Sequence, residues 1–266
     1  MIKFDNYMDL KVAVVQFDIK WEDTEGNIKY LTNCLKDLSS DTDLVVLPEM
    51  FHCGFSMSTQ NTAQKERGQV LQWMQSVAQL HDVTIMGSVV VDKGNGVVNR
   101  LYVVDGEKVS WYDKRHLFTM GGEHLHYKKG QNRLIVNVKG WKICPLICYD
   151  LRFPVWSRNK GEDEYHLLIY VANWPESRIG VWDILLKARA IENQSYVIGV
   201  NRIGNDKSLT YNGHSQVIDA KGSIQLDMGD NNAIAYVVLK KVELMQFRAK
   251  FPVLNDGDLF EIKGGR

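Results

Sequence analysis

The chain has 266 residues, 45 % of them apolar and 24 % charged, proportions ordinary for a globular protein. Its 32 lysines and arginines balance 32 aspartates and glutamates, so the basic excess of a nucleic-acid binder is missing and no nucleic-acid partner is expected. No apolar run approaches the roughly 18 residues a membrane span needs, the N-terminus MIKFDNYMDLK does not read as a secretory signal, and four cysteines are too few for a disulfide framework; no membrane partner and a reducing, cytoplasmic setting are expected.

Short runs rich in valine and isoleucine alternate with amphipathic stretches. LKVAVVQF (10–17) reads as a strand, and residues 24–38 as a helix with Ile28, Leu31, Leu35 and Leu38 on one face. LVVLP (44–48), a helix over 70–80 and VTIMGSVVV (83–91) follow. A meander comes next: VVNRLYVVD, a turn at Gly106, and KVSWYDK. RLIVNV (133–138) and WKICPLIC (141–148) are predicted strands. The second half repeats this grammar, with HLLIYVAN (166–173), a helix over 181–194, then SYVIGVNRI, HSQVIDA and IAYVVL. The predicted helix places Val181, Ile184, Leu185, Ala188 and Ile191 on one face. Strand–helix–strand units argue for parallel pairing and the later hairpins for antiparallel additions, so mixed sheets are expected. Only five prolines and no linker interrupt the pattern. The chain reads as a single domain over residues 1–266, with 1–8 and 251–266 as terminal extensions, the latter a loose tail or an arm that packs on a partner.

Three strand ends carry chemistry. In ICYDLRFP a buried strand runs into Cys148 and then turns sharply, the setting in which α/β proteins expose a nucleophile. A cysteine needs a base or a cation beside it to react, because a free thiol with a pKa of about 8.5 is mostly protonated at neutral pH. The bland reading is packing, which suits Cys144, four residues earlier inside the same run. A Cys144–Cys148 redox pair is disfavoured, since four extended residues span roughly 13 Å. In LPEMF, Glu49 follows an apolar strand, where partial desolvation suits a general base rather than an ordinary loop acid. In YDKRHLF, Lys114 could hold the charge developing on a carbonyl oxygen and lower the thiol's pKa, against the alternative of a solvated basic run.

Together, Glu49, Lys114 and Cys148 in LPEMF, YDKRHLF and ICYDLRFP, with ANWPESR (172–178) and LLKARAIENQSYVIGVNRIG (185–204), resemble the nitrilase superfamily of carbon–nitrogen hydrolases. The resemblance implies an α/β fold, a nitrilase-type four-layer α-β-β-α sandwich with two mixed sheets. It implies an amidase in which Cys148 attacks a carbonyl, Glu49 shuttles protons, and Lys114 with the backbone N–H of Tyr149 receives the oxyanion through a thioester pathway. Glu123, in GGEH, matches a second family glutamate that holds the lysine or positions substrate. HLFTMGGEHLHYKKG and ANWPESR look most like the ω-amidases, which act on 2-oxoglutaramate and succinamate. A substrate carboxylate calls for a cation, with Arg178 and Arg152 as candidates and Arg115 behind them. Arg152 has the alternative of pairing with Asp150. Phe118, Trp174 and Trp182 are candidates for the pocket walls, with core packing as the alternative. A homodimer contact near Ala188–Ala190 and no cofactor are also implied.

Other readings compete. His116, His124, His126 and Cys148 could be drawn as a zinc set, but no Cys-x-x-Cys or His-x3-His spacing supports it, and no metal is expected. Nitrilases proper tend to carry tryptophan after the nucleophile where this chain has Tyr149, which favours amides over nitriles. A carbamoylase or a non-catalytic scaffold relative completes the alternatives, the last disfavoured because all three catalytic residue types are present.

Overall fold

The computed structural model describes residues 7–161, 164–258 and 260–262. The first half runs β1 (Leu10–Gln16), α1 (Thr24–Leu35), β2 (Leu44–Val46), α2 (Thr59–Thr62), β3 (Gln64–Lys65), α3 (Gln69–His81), β4 (Thr84–Asp92), β5 (Val97–Asp105), β6 (Lys108–Asp113) and α4 (Glu123–His126). The second half runs β7 (Val136–Val138), β8 (Trp141–Ile147), α5 (Pro154–Ser157), β9 (Leu167–Val171), α6 (Ile179–Asn193), β10 (Tyr196–Val200), β11 (Ile203–Asn205), β12 (Thr210–Asn212), β13 (Gln216–Ile218), β14 (Ile224–Asp227), β15 (Ala233–Leu239) and α7 (Lys241–Lys250).

Two mixed sheets result, ordered β15-β1-β2-β4-β5-β6 and β14-β13-β10-β9-β8-β7. Each has three central parallel strands, an antiparallel strand on one flank and an antiparallel pair on the other. The recurring sequence grammar is therefore a recurring topology. In β1, alternation decides the layers: Leu10, Val12 and Val14 face the second sheet, while Ala13 and Val15 face α1 and α3. Leu31 and Leu35 of α1 and Val70, Met74 and Val77 of α3 close that outer layer, and Trp182, Leu186 and Ala190 of α6 cover the second sheet. This is the α-β-β-α sandwich. Among the described residues no helix is long and apolar enough to cross a membrane.

Two expectations need correction, and one helix was not expected. The strand expected over 133–138 is formed only by Val136–Val138; Leu134 and Ile135 pack against the core without joining the ladder. The buried face of α6 is Trp182, Leu186, Arg189, Ala190 and Asn193, whereas Val181, Ile184 and Ile191 are exposed. The helix is apolar on two sides, and its buried polar groups hide the true inner face: Arg189 donates through Nε and Nη2 to Leu151 O at 3.1 and 2.6 Å, and Asn193 accepts from Asn159 N at 2.9 Å. Helix α7 was not evident from periodicity, because Lys241 and Arg248 join Leu244 on its buried side. The C-terminal segment meets its own chain: Lys160 donates to Phe260 O at 2.8 Å. Residues 1–6, 259 and 263–266 of the expected extensions lie outside the described residues.

Candidate active site

Glu49 lies just past β2, in a segment seated on β4. Leu47 N donates to Met86 O at 2.7 Å and Met50 N to Ser88 Oγ at 2.8 Å. Gly87 makes this seating possible, since a Cβ there would meet Phe51 Cδ1 at 2.8 Å and Leu47 Cβ at 2.9 Å. Lys114 lies just past β6, held to β5 by its N–H on Asn99 O at 2.9 Å. Glu123 opens α4, and its Oε2 accepts from Phe118 N at 2.6 Å, closing the intervening loop. Cys148 leaves β8 with φ +44°, a left-handed conformation uncommon outside glycine. The strand end thus becomes a sharp elbow.

These positions converge. Lys114 Nζ donates to Glu49 Oε1 at 2.8 Å and to Glu123 Oε1 and Oε2 at 3.1 and 3.0 Å. All three side chains are fully buried. Glu49 also accepts from Asn99 Nδ2 on Oε1 at 2.8 Å and from Asn173 N on Oε2 at 2.9 Å. Cys148 Sγ points at Asn173 O, 3.9 Å away, beside the same carboxylate.

Charge balance follows from this packing. Desolvation alone would lower the Lys114 pKa, but Glu123 and Glu49 more than offset it, so the pKa is raised and the ammonium persists. Burial raises the Glu123 pKa, with Lys114 opposing and Glu49 reinforcing the rise. For Cys148, burial and then the Glu49 charge push the thiol well up, and Lys114 offsets only part. Lys114 does pull the thiol's pKa down, as expected, but burial and Glu49 outweigh it and the net shift is upward. The lysine is bonded to two carboxylates, and Cys148 rests as a neutral thiol beside Glu49.

Lys114 and Cys148 line a cavity of about 350 Å³, with Glu49 bonded behind Lys114. Tyr149, Phe118, Trp174, Arg152 and Arg178 all line it. The Arg178 guanidinium stands 5.4 Å from the Phe118 ring centre and that of Arg152 stands 5.0 Å from Trp174. Neither guanidinium has an ion-pair partner among the described residues. Arg152 does not pair with Asp150, whose carboxylate is taken by Tyr112, His116 and Ile147 N. Arg115 lies away from the cavity, over Trp156 and donating to Gln131 O at 3.3 Å. Trp182 stands behind Trp174 in the core, with its N–H on His214 O. The histidines of the rival zinc set disperse: His116 stacks on Phe153, while His124 and His126 are exposed.

Asn99 and Asn173 were not singled out in the sequence. Asn99 could have been flagged as the lone amide inside VVNRLYVVD, and Asn173 lies in the quoted ANWPESR without having been given a role. Trp21, Phe55 and Tyr211 also line the cavity from segments that carry no motif.

A sandwich of this layering with a thiol, a carboxylate and an ammonium at the strand ends defines a class. The chain belongs to the carbon–nitrogen hydrolase family, whose profile, described as "Carbon-nitrogen hydrolase", matches residues 11–248. Among its relatives, the omega-amidase YafV of Escherichia coli (strain K12) is 44 % identical over 258 residues, covering 95 % of this chain and 98 % of its own. The 2-oxoglutaramate amidase of Bacillus subtilis (strain 168) is 34 % identical over 253 residues, covering 94 % and 98 %. The structure of XC1258 from Xanthomonas campestris, a CN-hydrolase superfamily protein with an arsenic adduct in its active site, superposes with a TM-score of 0.94 at 40 % identity, covering 97 % of this chain and 100 % of that one. The chain is an amidase of this family.

Proposed function

We propose that the chain is an ω-amidase, cleaving the terminal amide of short dicarboxylic-acid monoamides such as 2-oxoglutaramate or succinamate and releasing ammonia. The observation that carries this reading is one cavity lined by Cys148 and by Lys114, the latter bonded to Glu49 behind it, with two guanidiniums on its wall, Arg152 and Arg178, that have no ion-pair partner among the described residues. A cation in a partly desolvated wall suits a carboxylate at the far end of the substrate. The names of the relatives agree with it.

In this reading Glu49 takes the Cys148 proton as Sγ attacks the amide carbon, so no preformed thiolate is needed. The C–S bond forms, and the carbonyl electron pair moves to an oxyanion facing Lys114 Nζ and the Tyr149 N–H. The protonated Glu49 delivers its proton to the departing nitrogen, the C–N bond breaks, and ammonia leaves a thioester. Glu49 then deprotonates water, which attacks the thioester and releases acid and thiol. Glu123 holds Lys114 in place throughout. The exposed Val181, Ile184 and Ile191 of α6 supply an apolar strip consistent with the homodimer that the family resemblance implies.

The test is ammonia release from 2-oxoglutaramate, succinamate, glutamine, a neutral aliphatic amide and a nitrile. Turnover is expected on the first two, with near-silence on the nitrile; preference for the neutral amide would remove the carboxylate assignment. Cys148→Ala should abolish turnover with the fold intact, and retained turnover would end the proposal.

A further inference from the structure

Asp150 is fully buried two residues past the nucleophile, and its carboxylate bonds to two different segments. Oδ2 accepts from Ile147 N at 3.0 Å, on the strand side of the Cys148 elbow, and from the Tyr112 hydroxyl at 2.8 Å. Oδ1 accepts from His116 N at 3.1 Å and lies 2.7 Å from His116 Nδ1. Tyr112 and His116 flank Lys114 in the chain by two residues on either side. The Tyr112 hydroxyl also accepts from Arg115 N at 3.1 Å and Trp156 Nε1 at 3.0 Å, so the junction is built from both sides. An acid that merely capped the turn would need only Ile147 N. Here the other oxygen is spent wholly on the lysine-bearing segment.

We infer that Asp150 is a positioning residue that registers the Cys148 elbow against Lys114, setting the distance between the attacking sulfur and the site of the developing oxyanion. This rests on the reading of Cys148 as nucleophile and Lys114 as oxyanion partner. The two segments come from different sheets, β8 and β6, and their side chains act on one carbonyl group. The elbow also carries φ +44° at Cys148, a conformation that persists only where surrounding bonds hold it. A shared carboxylate with two oxygens about 2.2 Å apart is a stiff link between them. Arg152 and Arg178 take no part in this junction.

The experiment compares Asp150→Asn, Tyr112→Phe, the double variant and Cys148→Ala as full-length protein, scoring kcat and KM on succinamate and the rate of Cys148 alkylation by iodoacetamide. Asparagine keeps the shape but turns an NH2 toward one pair of donors. Asp150→Asn should lower kcat by roughly 10- to 100-fold, the scale of a misplacement of about 1 Å, with KM changed less than threefold. Tyr112→Phe, which retains the carboxylate and serves if Asp150→Asn does not fold, should lower kcat in the same direction by less. The double variant should be no worse than Asp150→Asn alone, since both act through one junction. A kcat within twofold of the parent in folded Asp150→Asn, or in folded Tyr112→Phe if the aspartate variant does not fold, would overturn the inference, as would matched losses of kcat and melting temperature that leave activity per folded molecule unchanged. An inactive Cys148→Ala beside a normal Asp150→Asn overturns the positioning role alone, whereas an active Cys148→Ala overturns the functional reading and this inference with it.

Discussion

Replacing Glu49 with glutamine should silence turnover while making Cys148 more reactive toward an alkylating agent. The two effects have opposite signs because Glu49 does two things to the thiol: it offers a place for the proton, and its charge raises the cost of a thiolate beside it. Removing a unit charge at about 4 Å in surroundings of effective dielectric about 20 is worth about 4 kcal/mol, roughly a thousandfold in thiolate population at a pH below both pKa values. A more stable thiolate is a poorer nucleophile by about half of that on a logarithmic scale, which leaves a gain of roughly 30-fold in alkylation rate. Lys114 keeps its bonds to Glu123 at 3.0 and 3.1 Å, so the ammonium is not stranded. Glutamine can turn its oxygen toward Lys114 and Asn99 only by facing its NH2 to the Asn173 N–H, so circular dichroism should confirm that the fold survives. The assay is iodoacetamide labelling of Cys148 followed by intact mass at pH 7.5, beside ammonia release. Slower alkylation in a folded Glu49→Gln variant would refute a neutral resting thiol and point to a preformed ion pair instead.

Glu123→Gln removes one of two carboxylates from a buried lysine and should destabilise the protein by about 3 kcal/mol, the low end for breaking a buried pair because Glu49 remains; that is a fall in Tm of roughly 6–12 °C, and an unchanged Tm would show that Glu123 does not hold Lys114. Arg178→Ala should raise KM for succinamate at least tenfold while changing KM for a neutral amide less than twofold, and equal effects on both would remove Arg178 from substrate binding. His52 is fully buried and neutral, with burial lowering its pKa to about 3. Its stabilising contribution is present above the unfolded value of about 6.5 and is lost as pH falls toward 3, because the unfolded chain takes up the proton first. It should therefore cost about 2 kcal/mol between pH 7 and pH 5, read as a drop in urea midpoint; a His52→Gln variant with an equally steep acid limb would contradict that assignment.

How much of this could be read from the sequence depended on whether local chemistry left a mark. Glu49, Lys114 and Cys148 each follow a predicted strand and each sits in a recognisable motif, so their places in the chain were legible. Glu123 and the pocket aromatics became candidates only through the family resemblance. The inner face of α6 was misread because a helix with isoleucines on one side and tryptophan and leucine on another has two apolar stripes, and only bonds such as Arg189 to Leu151 O select between them. Helix α7 escaped notice for the same reason in reverse, since its buried side includes Lys241 and Arg248.

The sequence by itself determined the order of the main strands and of α1, α3 and α6, and the chain positions of Glu49, Lys114 and Cys148, because hydrophobic periodicity and turn chemistry are local and survive without partners. Only the tertiary structure decided what those side chains do to one another. That Lys114 holds two carboxylates, that Asn99 and Asn173 aim Glu49, and that Asp150 bridges the elbow to the lysine segment all depend on distances between residues nine to more than a hundred positions apart, which no local pattern encodes.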